Sequence, residues 1–256
     1  MNDSGFIGKK NSTVTWNKVD EELIEYNSRQ YQEMYRSTLF VIENLNKKIQ
    51  NSERLDILDI GCGGGANLFH IAKYFKNCHF TGIDINEYFI EFARKKYLKN
   101  NIKNIDLLVR DIFSNFEING QAKKYDVVGS SQVVSFLDFD RADQIFHKYF
   151  QLSKKSVYFQ SLFTDCLLDY EINIYDHTYK KIVPYNIYSV ATVCNIAKKY
   201  DFTLSLQNKF LIDIDLKNNA LKRGTRTITK NNKERMMFSG DMYLPWQFLY
   251  FEKGKK

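Results

Sequence analysis

The stretch Leu55-Asp56-Ile57-Leu58-Asp59-Ile60-Gly61-Cys62-Gly63-Gly64-Gly65-Ala66-Asn67 constrains the fold more than any other part of the chain. It reads as a short apolar strand that ends in an acid, then a glycine-dense turn, then a helix start. Glycine serves where a backbone must turn tightly and let another molecule approach without a Cβ in the way. A helix that points its amide-rich N-terminus at the gap completes a cradle for a nucleotide or an amino-acid group. The turn alone does not say which. The acids on the neighbouring strands do.

Downstream, strands and helices alternate at short spacing. The helix after the turn carries Leu68, Ile71, Ala72 and Phe75 on one face. A second strand, His79–Asp84, ends in an acid, and Asn86 is placed to cap a helix with Phe89, Phe92, Ala93 and either Tyr97 or Leu98 facing inward. A third strand, Asn104–Arg110, runs into Asp111. The fourth, Tyr125–Gly129, delivers Ser130, Ser131 and Gln132 at its tip. A helix with Ala142, Ile145, Phe146 and Tyr149 in register precedes a fifth strand, Ser156–Ser161. Such alternation predicts right-handed crossovers and a parallel sheet covered on both faces. In these sheets the ligand crevice lies outside the carboxyl ends of the strands. Asp59, Asp84, Asp111 and Ser130–Gln132 all fall there, so four strand tips converge on one crevice.

Before this core, Lys18 to about Gln50 predicts a long helix broken once, whose Tyr26, Arg29, Tyr31 and Tyr35 can line the site from above. After it, the pattern lapses between Phe163 and Asn186. Asp165, Asp169, Tyr170, Glu171, Tyr175, Asp176, His177, Tyr179 and Tyr185 crowd a segment too long for a simple turn, as substrate-side insertions do. A helix with Val190, Val193, Cys194 and Ala197 inward comes next. Then come strand-like residues Phe202–Leu216, a hairpin pairing Thr225–Thr229 with Arg235–Ser239, and a last strand Trp246–Phe251.

Composition narrows the setting. The 256 residues are 44% apolar and 26% charged, as in soluble globular proteins. No apolar run is long enough to span a membrane. Met1 to Val14 is polar, and Cys62, Cys78, Cys166 and Cys194 form no C-x-x-C pair, so reduced thiols and a cytoplasmic address are expected, with no metal site. The net charge of +7 invites a nucleic-acid reading, but lysines cluster at the chain end and in doublets at helix ends, as on a solvated face. The surplus would also serve a small anionic substrate.

The constellation resembles the class I S-adenosylmethionine-dependent methyltransferases over about residues 55 to 252. Asp59-Ile-Gly61-Cys-Gly63-Gly-Gly65 matches that family's first motif, acid-x-Gly-x-Gly-x-Gly, in full. The resemblance implies S-adenosyl-L-methionine as cofactor. The glycine turn would hold its methionine portion and Asp59 would position the ammonium. Asp84 would take both ribose hydroxyls, with Ile85 packing on adenine and Asp111-Ile112 at the adenine amino group. Ser130 to Gln132 would lie near the methionine carboxylate and the sulfonium. It also implies a Rossmann-like α/β fold. That fold has a seven-stranded, mostly parallel sheet with an antiparallel last strand and helices on both faces. An N-terminal helical cap and a C-terminal β-hairpin insertion complete it. The expected organisation is one domain, with a cap at 1–50, a cofactor core at 51–163, an insertion at 164–187 and the last elements at 188–256.

Gly61-x-Gly63-x-x-Ala66 also satisfies a dinucleotide fingerprint with an acid downstream. Against that stands Asp59, two residues before the first glycine, where a carboxylate would repel a pyrophosphate. The acceptor is argued from absences. Ser130-Ser131-Gln132-Val133 replaces the Asn/Asp-Pro-Pro-aromatic motif of family members that methylate base or glutamine amino groups, and no basic-aromatic run suits base stacking. The tail Gly224-Thr225-Arg226…Pro245-Trp246 resembles methyltransferases of bacterial surface-polysaccharide pathways. This implies methylation at oxygen of a small polar, saccharide-linked or phosphorylated metabolite. Arg223, Arg226, Lys230 and Arg235 can meet an anionic group. An RNA-directed enzyme or RNA-binding module is the other open reading. For a general base, His177 beside Asp176 overhangs the crevice and Asp138 lies just past the fourth strand tip; Tyr31, Tyr175 and Arg226 are the expected acceptor contacts.

Overall fold

The computed structural model describes residues 28–50, 52–114, 117–118, 121–137, 139–176, 181–210, 225–230, 234–239 and 242–254. Its elements follow the apolar periodicity of the sequence. Helix α1 (Arg36–Asn46) leads into strand β1 (Asp56–Ile60), and helix α2 (Ala66–Tyr74) leads into β2 (His79–Asp84). Helix α3 (Glu87–Lys99), β3 (Ile105–Val109), β4 (Tyr125–Ser131), α4 (Ala142–Leu152), β5 (Ser153–Thr164), α5 (Val190–Lys198), β6 (Phe202–Lys209) and β7 (Trp246–Lys253) complete the core.

Seven strands form one sheet in the order β6-β7-β5-β4-β1-β2-β3, and Tyr188–Ser189 adds an eighth, short strand beside the end of β5. The pairs β1–β2, β1–β4, β2–β3 and β4–β5 are parallel, whereas β7 runs antiparallel to both β5 and β6. Because successive strand residues face opposite sides, each buried strand feeds two cores. Leu58, Val128, Val157 and Phe159 pack with α4 and α5 on one face. Ile57, Val127, Tyr158 and Phe248 pack with α1, α2 and α3 on the other. The expected α/β architecture, with helices on both faces and an antiparallel last strand, is therefore present.

Several local expectations are corrected. The crossover from β3 to β4 holds a minimal hairpin, Glu117–Ile118 with Gln121–Ala122, and no helix among the described residues. On α3 the side chain that faces inward is Tyr97; Leu98 lies in solvent, because Phe89, Ala93 and Tyr97 at four-residue spacing already define the buried stripe. The N-terminal helix is broken at residues 33–35. Met34 is exposed there, while Thr38, Val41, Ile42 and Leu45 of α1 carry the packing. The strand begun at Phe202 ends at Lys209, with residues 211–224 outside the described ones. The hairpin pairs Thr225–Lys230 with Glu234–Ser239, Arg226 opposite Phe238, and Met242–Leu244 adds a third strand.

Candidate functional site at the carboxyl edge of the sheet

The turn after β1 is built by three left-handed glycines, Gly61, Gly63 and Gly65, with φ of 71°, 52° and 77°. Its start is pinned to β2, since the Gly61 and Cys62 amides both donate to the Ile83 carbonyl. Two of the glycines also lack room. A Cβ on Gly61 would lie 2.7 Å from a Val133 methyl, and one on Gly65 would lie 2.7 Å from the Tyr97 hydroxyl. Gly63 differs, because a Cβ there would meet nothing within 4 Å. The turn therefore packs tightly on its protein side and stands open on the other, where a ligand's backbone contacts would lie.

Two tyrosines hold the turn from behind. Tyr97 donates to the Gly65 carbonyl at 2.6 Å and Tyr31 to the Gly64 carbonyl at 2.5 Å. Burial pushes both phenols up, so both stay neutral donors. Tyr31 is wedged edge-on against Phe69, Phe92 and Tyr97. Its hydroxyl, expected among the acceptor contacts, bonds the turn. The cap is tied to α2 as well, through Thr38 to Asn67 and through His70 to the Gln30 carbonyl.

Asp59 sits in a row that crosses the sheet: Gly82 on β2, Asp59 on β1, Gly129 on β4, Tyr158 on β5 and Tyr250 on β7. Gly129 leaves space for Tyr158, whose ring atoms would lie 2.1 Å from an added Cβ. Tyr158 thereby reaches across toward the Asp59 carboxylate, where its hydroxyl favours the ionised form. Asp59 is 4% exposed and its Oδ1 has no partner among the described residues. Burial pushes its carboxyl up to about 7, the Tyr158 hydroxyl opposes that, and nearby Asp84 adds to it. A buried carboxylate with an unused oxygen next to the glycine turn has capacity for a further donor or a positive charge.

Asp84 terminates β2 with both oxygens aligned by backbone amides: Oδ2 accepts from Gly63 and Oδ1 from Asn86, each at 2.9 Å. Each oxygen retains a lone pair for a further donor. Burial raises this carboxyl too. Ile85, next along, is 40% exposed, an apolar surface at a strand tip. Asp111 is exposed, with Oδ1 on the Phe113 amide in a local turn, while the Ile112 side chain is buried in the core. At the tip of β4, the buried Ser130 faces the α4 side. Gln132 adopts a left-handed φ of 64°, with its amide on the Gln160 carbonyl at 2.6 Å.

The remaining expected residues divide differently. His177 and Asp138 lie outside the described residues, as does the side chain of Arg226. Tyr175 is half exposed on the hairpin Asn173–Asp176 with Lys181–Pro184. His79 pairs with Asp106, and His147 with Asp143 and Tyr200, away from the crevice. Sequence reasoning missed Tyr97, Gly129, Tyr158 and Gln160. A glycine inside a buried strand is the one available signal, since it marks a close approach of another group.

The chain was compared with known proteins. Residues 51–209 match the model of a family described as a methyltransferase domain. The release factor glutamine methyltransferase of Fusobacterium nucleatum is 32% identical over 94 residues, 37% of this chain and 26% of that protein. The (S)-tetrahydroprotoberberine N-methyltransferase of Eschscholzia californica is 28% identical over 102 residues, 40% of this chain and 27% of that protein. The matched stretch thus spans about a quarter of the length of these curated relatives. Among solved structures, the magnesium protoporphyrin IX methyltransferase from Synechocystis with bound SAH superposes with a TM-score of 0.62 at 12% identity. That alignment covers 95% of this chain and 99% of that one, a likeness of fold.

Proposed function

The chain belongs to the methyltransferase-domain family, and from that premise we propose that it moves a methyl group from S-adenosyl-L-methionine to an oxygen of a small polar metabolite, saccharide-linked or phosphorylated. The observation that carries the cofactor half is the buried Asp59 carboxylate with its unpartnered oxygen beside the open side of the glycine turn. A dinucleotide would bring pyrophosphate against that carboxylate, which Coulomb repulsion disfavours. An amino-acid sulfonium brings positive charge.

When bound, the cofactor supplies an electrophilic sulfonium methyl. The chain's own residues bind, orient and exclude water. Asp59 accepts the ammonium. Asp84, held square by the Gly63 and Asn86 amides, presents its remaining lone pairs to the ribose hydroxyls. Ile85 offers apolar surface to adenine and Asp111 an acceptor to its amino group, with Ile112 anchoring that turn in the core. Gln132 closes the site at the tip of β4, with Ser130 behind it in the core on the α4 side. A hydroxyl acceptor needs a base within hydrogen-bonding reach, for which His177 and Asp138 are the candidates, whereas an ionised phosphate oxygen does not. Tyr175 and Arg226 are the candidate acceptor contacts from the insertion and hairpin. The surface-glycan reading rests on the resemblance of the tail from Gly224 to Trp246. Four unpaired thiols suit a reducing compartment, in line with a cytoplasmic enzyme.

Calorimetry tests the cofactor half: Asp84→Ala should weaken S-adenosylmethionine binding by at least about tenfold, the loss expected for two charge-assisted hydrogen bonds. Unchanged affinity would sink the assignment. A melting temperature raised by NADH and not by S-adenosylhomocysteine would return the oxidoreductase reading. A nitrogen acceptor is the second reading, favoured by the matched relative named as an N-methyltransferase. The methyl resonance of the labelled product separates the two.

A further inference from the structure

Two residues beyond Tyr158 on β5, the side chain of Gln160 is 1% exposed, and neither its Oε1 nor its Nε2 has a partner among the described residues. Such a double omission is rare in folded proteins, because a buried amide without partners loses its bonds to water and gains none. Gln160 is not alone. Ser131, directly opposite on β4, has an unpartnered Oγ among the same residues. Trp246 on β7, which is 8% exposed, has an Nε1 in the same condition.

Register brings these groups to one face. Gln160 pairs with Ser131 on one side and Phe248 on the other, and Trp246 pairs with Leu162, two residues past Gln160. Period-two alternation puts Ser131, Gln160, Phe248 and Trp246 on the same side as Asp59 and Tyr158. Along β5, two residues amount to about 7 Å, so Gln160 stands one pleat from the tyrosine that contacts Asp59, toward the crevice. Among the described residues no charged side chain occupies this row; Phe248 stands between Gln160 and Asn208, and Leu162 pairs with Trp246 one pleat further on.

We propose that Gln160, with Ser131 and Trp246 beside it, is the acceptor subsite, and that it takes an uncharged ring carrying a hydrogen-bond donor and acceptor side by side, as in a vicinal diol or an acylamino sugar. The inference rests on the methyl-transfer reading above and specifies its substrate. A glutamine amide offers one acceptor and two donors in a plane, which such a group meets in full. Aromatic Phe248 and Trp246 supply flat apolar surface for the ring. A phosphate does not suit this row, because no described residue in it compensates a buried dianion. A phosphoryl group on the same acceptor would have to lie elsewhere. Phe40 of α1 packs on Phe248 and on Phe210, so the N-terminal cap is the element that shifts to admit the ring.

The test uses the full chain labelled with 15N-glutamine and saturated with S-adenosylhomocysteine. N-acetylglucosamine at up to about 50 mM, a range suited to a fragment of an acceptor, should shift the side-chain NH2 pair of Gln160 saturably, while inorganic phosphate should not. In a chain labelled with 15N-tryptophan the sugar should also shift the Trp246 indole N–H, and Gln160→Met should abolish that shift while leaving the S-adenosylhomocysteine affinity within about twofold. In the ligand-free protein it should leave the melting temperature unchanged or raise it, since an unpartnered amide is removed. A Gln160 NH2 pair unmoved by the sugar overturns the proposal, as does one moved equally by phosphate. A clear fall in melting temperature with Gln160→Met and an intact sugar-induced shift of the Trp246 indole N–H in Gln160→Leu would also overturn it, showing a structural amide. If the wild-type chain fails to bind S-adenosylhomocysteine at all, it is the methyl-transfer reading that falls.

Discussion

With Asp59 as the seat of the ammonium, cofactor binding should depend on pH near neutrality. In the free protein, burial holds its carboxyl at about 7 against an ordinary 3.8. Below about 4 the folded and unfolded chains both carry the proton. Between there and about 7 the unfolded chain releases it and the fold does not, so stability declines as pH rises. The ionised fold bears on the order of 4 kcal/mol at the upper end. A ligand that brings an ammonium and a sulfonium to this carboxylate favours its ionised form and draws the proton off. Affinity should therefore climb with pH and level off above about 7. It should be about tenfold weaker at pH 6 than on the plateau, since each pH unit below the free carboxyl's range costs up to a factor of ten. S-adenosylhomocysteine lacks the sulfonium and should show a shallower climb.

Calorimetry at several pH values, in buffers of different ionisation enthalpy, counts the proton released. Close to one per S-adenosylmethionine is expected near pH 6. Neighbouring groups do not blur the reading. The Cys62 thiol and Tyr158 phenol are pushed well above their ordinary ranges and stay protonated throughout. Among the described residues Asp84, also raised, is the competitor, and Asp59→Asn separates them. The variant should bind more weakly on the plateau, lose the released proton and, without ligand, be more stable than wild type above pH 7. A wild-type affinity flat within about twofold from pH 5.5 to 8 would refute the cation seat. So would an undiminished slope in Asp59→Asn.

The packing yields three further outcomes. Gly129→Ala sets a Cβ 2.1 Å from the Tyr158 ring and should cost about 1–3 kcal/mol in urea denaturation, as overpacking does. In a Tyr158→Leu background most of that cost should disappear, and an equal cost in both backgrounds would remove the explanation. Tyr97→Phe removes the hydrogen bond to Gly65 and should lower stability by about 1–2 kcal/mol. It should also weaken S-adenosylhomocysteine, whereas weakened folding with intact affinity would make Tyr97 purely structural. Gly65→Ala combines φ of 77° with a contact of 2.7 Å to Tyr97 and should reduce the soluble folded yield far more than Gly63→Ala, whose Cβ meets open space.

The features legible in the sequence are those that one segment carries by itself. Asp59 before a glycine turn, Asp84 at the end of β2 and Asn86 as a cap are local patterns, and the structure has them where the spacing puts them. The three-stranded meander at 225–244 is half legible, since its first hairpin comes from alternation and turn residues, whereas Met242–Leu244 is too short to announce itself. The features that were not legible depend on partners distant in the chain. Nothing near Tyr31 says that its hydroxyl will meet Gly64, and nothing near Gly129 names Tyr158 as the ring that needs the space. The β3–β4 crossover, where the sequence pattern marks no element, holds a short hairpin.

Those distant contacts share a direction. Tyr31 from the cap and Tyr97 from α3 converge on the carbonyls of Gly64 and Gly65, and their hydroxyls lie 3.0 Å and 2.7 Å from where a Gly65 Cβ would sit. Thr38 and the Gln30 carbonyl fasten the same cap to α2, whose first turn begins at Ala66. Fixing a carbonyl fixes its peptide plane, and so the direction of the next amide, because that unit is rigid. The cap therefore does two jobs that cannot be separated by geometry. Through Tyr31 it orients the glycine turn proposed to hold the cofactor, and through Phe40 it packs against Phe248 beside Gln160. A cap that moves to admit an acceptor must loosen Tyr31 or pivot about it. In the first case cofactor and acceptor oppose each other's binding; in the second they are independent. The sign of that coupling, read as the change in S-adenosylhomocysteine affinity when a sugar occupies the Gln160 row, reports which way the cap moves.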